Sequence, residues 1–564
     1  MKSAWLLFCI LFTALHAADT PLEIVTATFF GSAEGDDLQS VCAAPDGTIY
    51  IAGNIGTSRE TKQFGTPAKN PHCGCGFVAH LSSDGKTILH QATFAPGAVI
   101  LTTVLCSERG VYVGGYGSAA LEDVLKNSAG LMKKYPLTDA LKQHEADLDA
   151  GKKDKIAGRP GLGREGTPCV LKLSRDLAAL DGGTYLEGWQ QVWDKDRVAK
   201  LGKEIQGHFQ EYYWQPTHLA LLKDGDVIVC HDGGYFRMWT QKDRELAQGD
   251  DKLFDRFTFY DQCDYLSRLS PDLSQRRWTQ KIITPPVDPA VAKQVKEGWP
   301  LPHYSNPRTQ RMRLDKDEFV YLCGWSASAT SKEPWWSPYL WKIDPKSGAP
   351  VWKRYEYDPM SGGGNRMGGQ VSDTDVVSLT LDDEGNILAS LMADGGNTVM
   401  EWSPTSNATQ HTNFEAKQKG SGFGVKLVHW WGQIHRIDKD TQRGLGGARI
   451  GPWGWCVDMA PLPNKGVLAV GRYNADFKFT TDTWWTTGEL KNPNAFLRVY
   501  SQDFDQLFST AIPGVVPFEL TRISETRYAW VGRADDAIAP TKDALNPKHL
   551  GKTDGYLMIL DFKK

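Results

Sequence analysis

The chain has 564 residues, a formal net charge of −4 and 23% charged residues. That balance offers no basic surface to nucleic acid, so no nucleic-acid partner is expected. The length would allow several domains, but a repeat architecture can hold as many residues in one closed unit.

Residues 1–18 carry Lys2, a short apolar run and small residues at Ala17 and Ala18. This reads as a signal peptide cleaved near Ala17 or Ala18, because the apolar run is too short to anchor in a bilayer. No later stretch is apolar enough to span a membrane. A secreted or periplasmic protein beginning near residue 19 is therefore expected.

LEIVTATFF, residues 22–30, reads as a lone strand. After it a phrase recurs seven times, starting near residues 37, 99, 216, 309, 374, 455 and 518: an apolar stretch, an acidic or Asp-Gly turn, then β-branched and aromatic residues ending near glycine or a small residue. DLQSVCAAPDGTIYIAGN from Asp37 is the clearest copy, and GFVAHLSSDGKTILHQATF from Gly76 supplies its second hairpin. Four short strands cannot bury both faces of their sheet alone, so such units stack on their neighbours. Radial stacking predicts an all-β, seven-bladed β-propeller over residues 19–564. The last unit ends at its third strand, YLMILDFKK from Tyr556. Residues 22–30 are expected to supply the fourth, closing the ring by pairing the two ends and covering an exposed edge.

DGTIYIAGNIGTS with GFVAHLSSDGKTIL, and DALNPKHLGKTDGYLMILD from Asp543, resemble the secreted bacterial propeller repeat called SBBP. DTDVVSLTLDDEGNILASLMADGGN and HWWGQIHRID are similar to uncharacterised secreted propellers of planctomycete-type bacteria. The resemblance implies a fold and an exported location but no reaction.

Departures from the repeat are where function is sought, because connections between second and third strands and between blades open on one face. Leucines near helical spacing in 118–168, and the segment 193–214, predict helical insertions that serve as a rim, a lid or a surface for a protein partner. Three tandem pairs, Trp335-Trp336, Trp430-Trp431 and Trp484-Trp485, either pack between blades or present flat rings to a sugar. His231 and Asp232 follow a second strand in VIVCHDGGY, and Asp394 follows the equivalent strand in LMADGGN. Asp373 and Asp375 open the fifth unit nearby. These groups are candidate acids and bases for a polysaccharide lyase or glycoside hydrolase, and otherwise ordinary turn residues.

Ten cysteines include Cys9 of the leader, leaving nine. In an oxidising compartment some pair, while Cys42, Cys106, Cys230, Cys323 and Cys456 in strand-like runs also suit buried apolar positions. His72-Cys73-Gly74-Cys75 lacks a second paired motif at zinc-like spacing, so no metal is expected. With no P-loop, Rossmann turn or CxxCH haem site, no cofactor is expected. The reading is a secreted propeller that binds a glycan or cell-envelope component on its decorated face. A polysaccharide-cleaving enzyme and an extracellular interaction scaffold are the alternatives.

Overall fold

The computed structural model describes residues 20–56, 62–64, 75–117, 167–186, 217–232, 264–282, 307–328, 335–354, 374–393, 431–441, 444–452, 454–473, 479, 484, 494–535 and 540–563. They form seven antiparallel sheets of four successive strands, the blades of a propeller. The first strand of each blade is innermost: Asp37–Ala43, Val99–Ser107, His218–Leu221, Pro307–Leu314, Thr374–Leu381, Gly454–Pro461 and Val515–Arg522. Blade 1 adds a short fifth strand, Lys62–Phe64, parallel to Ile88–Phe94.

The core consists of apolar layers between neighbouring blades. Strand Asp554–Phe562 shows why its sequence is almost continuously apolar. Tyr556, Met558 and Leu560 pack toward blade 6, while Leu557 and Ile559 pack toward blade 1. Successive side chains point to opposite faces, and here both faces are covered. The ring closes as the end strands predict: Leu22–Phe30 pairs antiparallel with Asp554–Phe562, from Leu22 opposite Phe562 to Phe30 opposite Gly555. Phe29 and Phe30 thereby enter the layers on either side of blade 7.

Connections sort by face. Those after first and third strands are tight, as at residues 222–226, where the Gly225 amide donates to the Leu222 carbonyl at 2.8 Å and Gly225 takes φ 92°. Glycine suits that left-handed turn. The long connections, including 118–166, 187–216, 233–263, 283–306, 355–373 and 394–430, join second to third strands or blade to blade. Antiparallel pairing puts the strand ends that flank all of these on the opposite face.

The expectation of helical insertions is corrected by the sheet. The described residues contain no helix. Thr167 and Pro168, at the end of the insertion expected over 118–168, open the third strand of blade 2, Thr167–Leu173. Periodic leucines are a propensity signal only, and at these two positions pairing with Tyr116 and Gly117 decides the backbone. The rest of that insertion, and 193–214, lie outside the described residues.

Seven described cysteines carry free thiols. Cys42 and Cys106, on the inner strands of blades 1 and 2, bring their Sγ atoms to 3.1 Å.

Candidate functional site at the channel mouth

Six of the seven inner strands carry a β-bulge at the same place, between Leu38 and Ser40, Leu101 and Thr103, Thr309 and Arg311, Val376 and Ser378, Cys456 and Asp458, and Pro517 and Glu519. A bulge inserts one residue and re-aims the side chains around it. The extra residues, Gln39, Thr102, Gln310, Val377, Val457 and Phe518, all line a central cavity of about 940 Å³.

The bulge also explains the glycine near the end of five of the repeated phrases. Gly471 and Gly532, on the second strands of blades 6 and 7, lie against the kinked inner strand. A Cβ there would collide with the carbonyl oxygen of Trp455 or Val516. Gly53, Gly115 and Gly324 meet the equivalent carbonyls in blades 1, 2 and 4.

Residues just after the bulges form a polar belt that crosses blade boundaries. Ser378 Oγ of blade 5 donates to Asp458 Oδ1 of blade 6 at 2.8 Å, and the Leu520 amide of blade 7 donates to Asp458 Oδ2 at 3.0 Å. The Val41 amide of blade 1 donates to Glu519 Oε2 at 3.1 Å, and Val104 of blade 2 donates to Ser40 Oγ at 3.0 Å. Arg311 and Arg313 reach from blade 4 to the same acids. Arg311 Nη2 donates to the Phe518 carbonyl at 3.0 Å and lies 3.6 Å from Asp458 Oδ2, while Arg313 Nη2 lies 3.3 Å from that oxygen. Burial lowers the basicity of Arg311, but Asp458 and Glu519 beside it more than offset this. The two arginines tie opposite sides of the ring across the channel.

Above this belt, toward the long connections, the strand ends carry two groups of charges, Asp37 with Arg472 and Arg533, and Asp375 with Arg308, of which Asp37 and Arg472 line the cavity. Burial raises the Asp37 carboxyl, against hydrogen bonds from Asn54 and Gln39 and the charge of Arg533. Asp375 is buried, accepts from Gln310 Nε2 at 3.0 Å, and is pushed up to about 8 by burial, against the charge of Arg308. Burial thus favours its protonated form. Arg472 lines the cavity, its guanidinium 5.8 Å from the Phe518 ring, and its buried Nε has no hydrogen-bond partner among the described residues. Burial, then repulsion from Arg533, lowers it to about 10. Clustered perturbed groups in a cleft mark a candidate functional site.

Asp375 has a measurable consequence. Its folded pKa is raised, so the folded chain holds a proton that the unfolded chain releases. The stability it contributes is lost as pH climbs from the ordinary aspartate range to about 8. Asp375→Asn should gain stability relative to the parent across that window. Parallel melting curves for the two proteins from about pH 4 to about pH 9 would exclude this role.

Of the residues singled out from the sequence, the structure describes some. His231 is 1% exposed in the second strand of blade 3, stacked on Tyr265 with ring centroids 5.6 Å apart, and does not line the cavity. Burial pushes its pKa down to about 3, which keeps it neutral. Asp232 ends the same strand, and Asp394, Trp430 and Trp485 lie outside the described residues. Trp335 and Trp336 begin the third strand of blade 4, and Trp431 that of blade 5. Trp484 is half-buried against Phe508 of blade 6, ring centroids 5.2 Å apart, with its amide donating to Thr510 Oγ1 at 3.0 Å. Sequence reasoning missed Arg311, Arg313, Asp458, Glu519, Arg472 and Arg533. One signal for the last two was present: Val-Gly-Arg recurs at residues 470–472 and 531–533, the same point of two successive units.

No family model and no curated protein matches the chain. Among solved structures, it is similar to a protein of unknown function from Dyadobacter fermentans, at 10% identity over 97% of this chain and 100% of that one, with a TM-score of 0.40. A PL25 ulvan lyase bound to -[GlcA(1-4)Rha3S]- matches at 8% identity over 90% and 93% of the two chains, TM-score 0.44. A quinohemoprotein alcohol dehydrogenase from Comamonas testosteroni matches at 10% identity over 96% and 76%, TM-score 0.38. At these values the likenesses carry no functional argument, and the propeller assignment rests on the strand pairing.

Proposed function

We propose that the chain is an exported propeller that binds a glycan at the mouth of its central channel, on the face from which the long connections depart. The observation that carries this is the ring of bulged residues. Gln39 and Gln310 bring carboxamides, Thr102 a hydroxyl and Phe518 a phenyl ring to one cavity of about 940 Å³. Flat apolar surface beside convergent hydrogen-bonding groups suits a pyranose, whose C–H face covers a ring while its hydroxyls reach polar neighbours. The tandem tryptophans that open third strands on this face, Trp335-Trp336 and Trp431, belong to the same proposal. The leader-like residues 1–18 and the similarity to secreted propeller repeats support export. Among the described residues no helix is long and apolar enough to cross a membrane.

The test is retention of the chain on a broad polysaccharide array, with Phe518→Ala as the variant. We expect at least one glycan to bind, and Phe518→Ala to weaken it about tenfold or more, the scale of one lost aromatic contact with its hydrogen bonds. Absence of binding across the array would sink the reading. Catalysis is a second reading, with Asp375, whose carboxyl burial pushes up and which Gln310 of the cavity lining hydrogen-bonds, as its candidate acid. New reducing ends or unsaturated uronates on incubation with the bound glycan would distinguish an enzyme from a binder.

A further inference from the structure

We propose that Arg472, assisted by Arg533, is an anion-recognising subsite that takes a carboxylate or sulfate group of an acidic saccharide. The inference rests on the glycan reading and names the class of sugar.

The two arginines occupy equivalent positions on adjacent blades. Arg472 pairs across its sheet with Trp455 of the inner strand, and Arg533 with Val516. In blade 1 the same position holds Asn54, whose carboxamide donates to the Asp37 carboxylate at 3.0 Å and bonds the Leu101 backbone of the next blade. That position thus aims a side chain inward across a blade boundary. In blade 6 it aims a cation, which lies near the Phe518 ring and meets no acid among the described residues. Arg472 makes no hydrogen bond and no ion pair among the described residues, although its Nε is buried and it lines the cavity.

A buried N–H is normally paired, and the Arg472 Nε is buried without a partner among the described residues, while the rest of the half-buried side chain opens on the cavity. Here the charge that acts on it is another cation, Arg533, which is exposed and makes no ion pair among the described residues. Asp37, the acid nearest Arg533, is already engaged by Asn54. Arg472, lining the cavity, and Arg533, on the adjacent blade, thus put two cationic side chains near one blade boundary, where an anion would be recognised. The planar fork of Arg472 matches a carboxylate or sulfate edge in bidentate fashion. The Phe518 ring beside it leaves an apolar surface for the sugar that bears the anion.

The experiment titrates the full chain and R472Q with three oligosaccharides on one backbone: a uronate form, its carboxyl-reduced form, and the reduced form carrying sulfate esters. Melting temperatures are read with and without inorganic sulfate or free galacturonate. We expect R472Q to lose at least tenfold in affinity for the acidic form the parent prefers and to keep its affinity for the reduced backbone. The parent's preference separates carboxylate from sulfate. Unliganded R472Q should melt at or above the parent temperature, because an uncompensated buried charge is removed. Equal acidic-glycan affinity in the two proteins overturns the subsite while leaving the glycan reading intact, and so does a clear drop in the melting temperature of unliganded R472Q. If no saccharide binds but sulfate or galacturonate stabilises the parent and not R472Q, the glycan reading fails and the anion site stands. No stabilisation by either anion, with no binding, removes both.

Discussion

Asp458→Ala should cost about 3–5 kcal/mol of folding stability, among the largest effects of any single substitution in the channel. Asp458 is fully buried and accepts from Ser378 Oγ and from the amides of Met459 and Leu520, while Arg311 and Arg313 stand within 3.6 Å. Truncation leaves the Arg311 charge, 11% exposed, with Glu519, at 3.7 Å, as its remaining acid among the described residues. It also leaves two buried amides without an acceptor, and unmet groups cost more than made ones return. Asp458→Asn keeps the shape and one acceptor oxygen, so it should cost less. Arg313→Ala should cost about 1 kcal/mol or less, because that side chain is partly open to solvent, at 27%, and its pairs are screened. Urea unfolding followed by tryptophan fluorescence would rank the three. Equal midpoints for Asp458→Ala and Arg313→Ala would show that the belt is not a unit.

The belt explains what could be read in the chain and what could not. The repeated phrase exposes the pleat: Tyr556, Met558 and Leu560 alternate with Leu557 and Ile559, and only a strand covered on both faces tolerates that run. The unpaired strand at residues 22–30 and the short last unit together specify closure. Chemistry was sought in the interruptions, with the regular parts taken as scaffold. Among the described residues, the regular strands also bring Asp37 and Arg472 to the cavity. The bulge hid this, since it inserts a residue that breaks the two-residue period in strands such as DLQSVCA and shifts which side chains face the lumen. No spacing rule in a single unit shows that Gln39 and Phe518 share a cavity. Helical spacing misled for a related reason: leucines at 118–148 carry a period, but the backbone at 167–168 answers to its neighbouring strand.

Removing residues 20–30 should abolish the soluble monomeric fold. This strand closes blade 7 and buries Leu22, Phe29 and Phe30, each worth about 1.5–3 kcal/mol on burial. Together they approach the whole stability of an ordinary domain, about 5–15 kcal/mol. Loss of the strand also frees one edge of Asp554–Phe562, eight of whose residues pair with it, and a long apolar edge is a template for aggregation. Asn546 would lose its contacts as well, since its amide donates to Thr28 Oγ1 at 2.9 Å and its carboxamide to the Phe29 carbonyl at 2.8 Å. Phe30→Ala alone should cost about 3–5 kcal/mol, because the ring is fully enclosed between blades 7 and 1. A direct check is complementation: a peptide of residues 20–31 supplied during refolding of the truncated chain should restore a soluble monomer by adding the missing strand. A truncated chain that stays monomeric and melts as the parent does would mean that blade 7 is stable with three strands and that closure contributes nothing. The ring predicts otherwise, because blades 6 and 1 each pack on a face of blade 7 to which this strand contributes Phe29 on one side and Phe30 on the other.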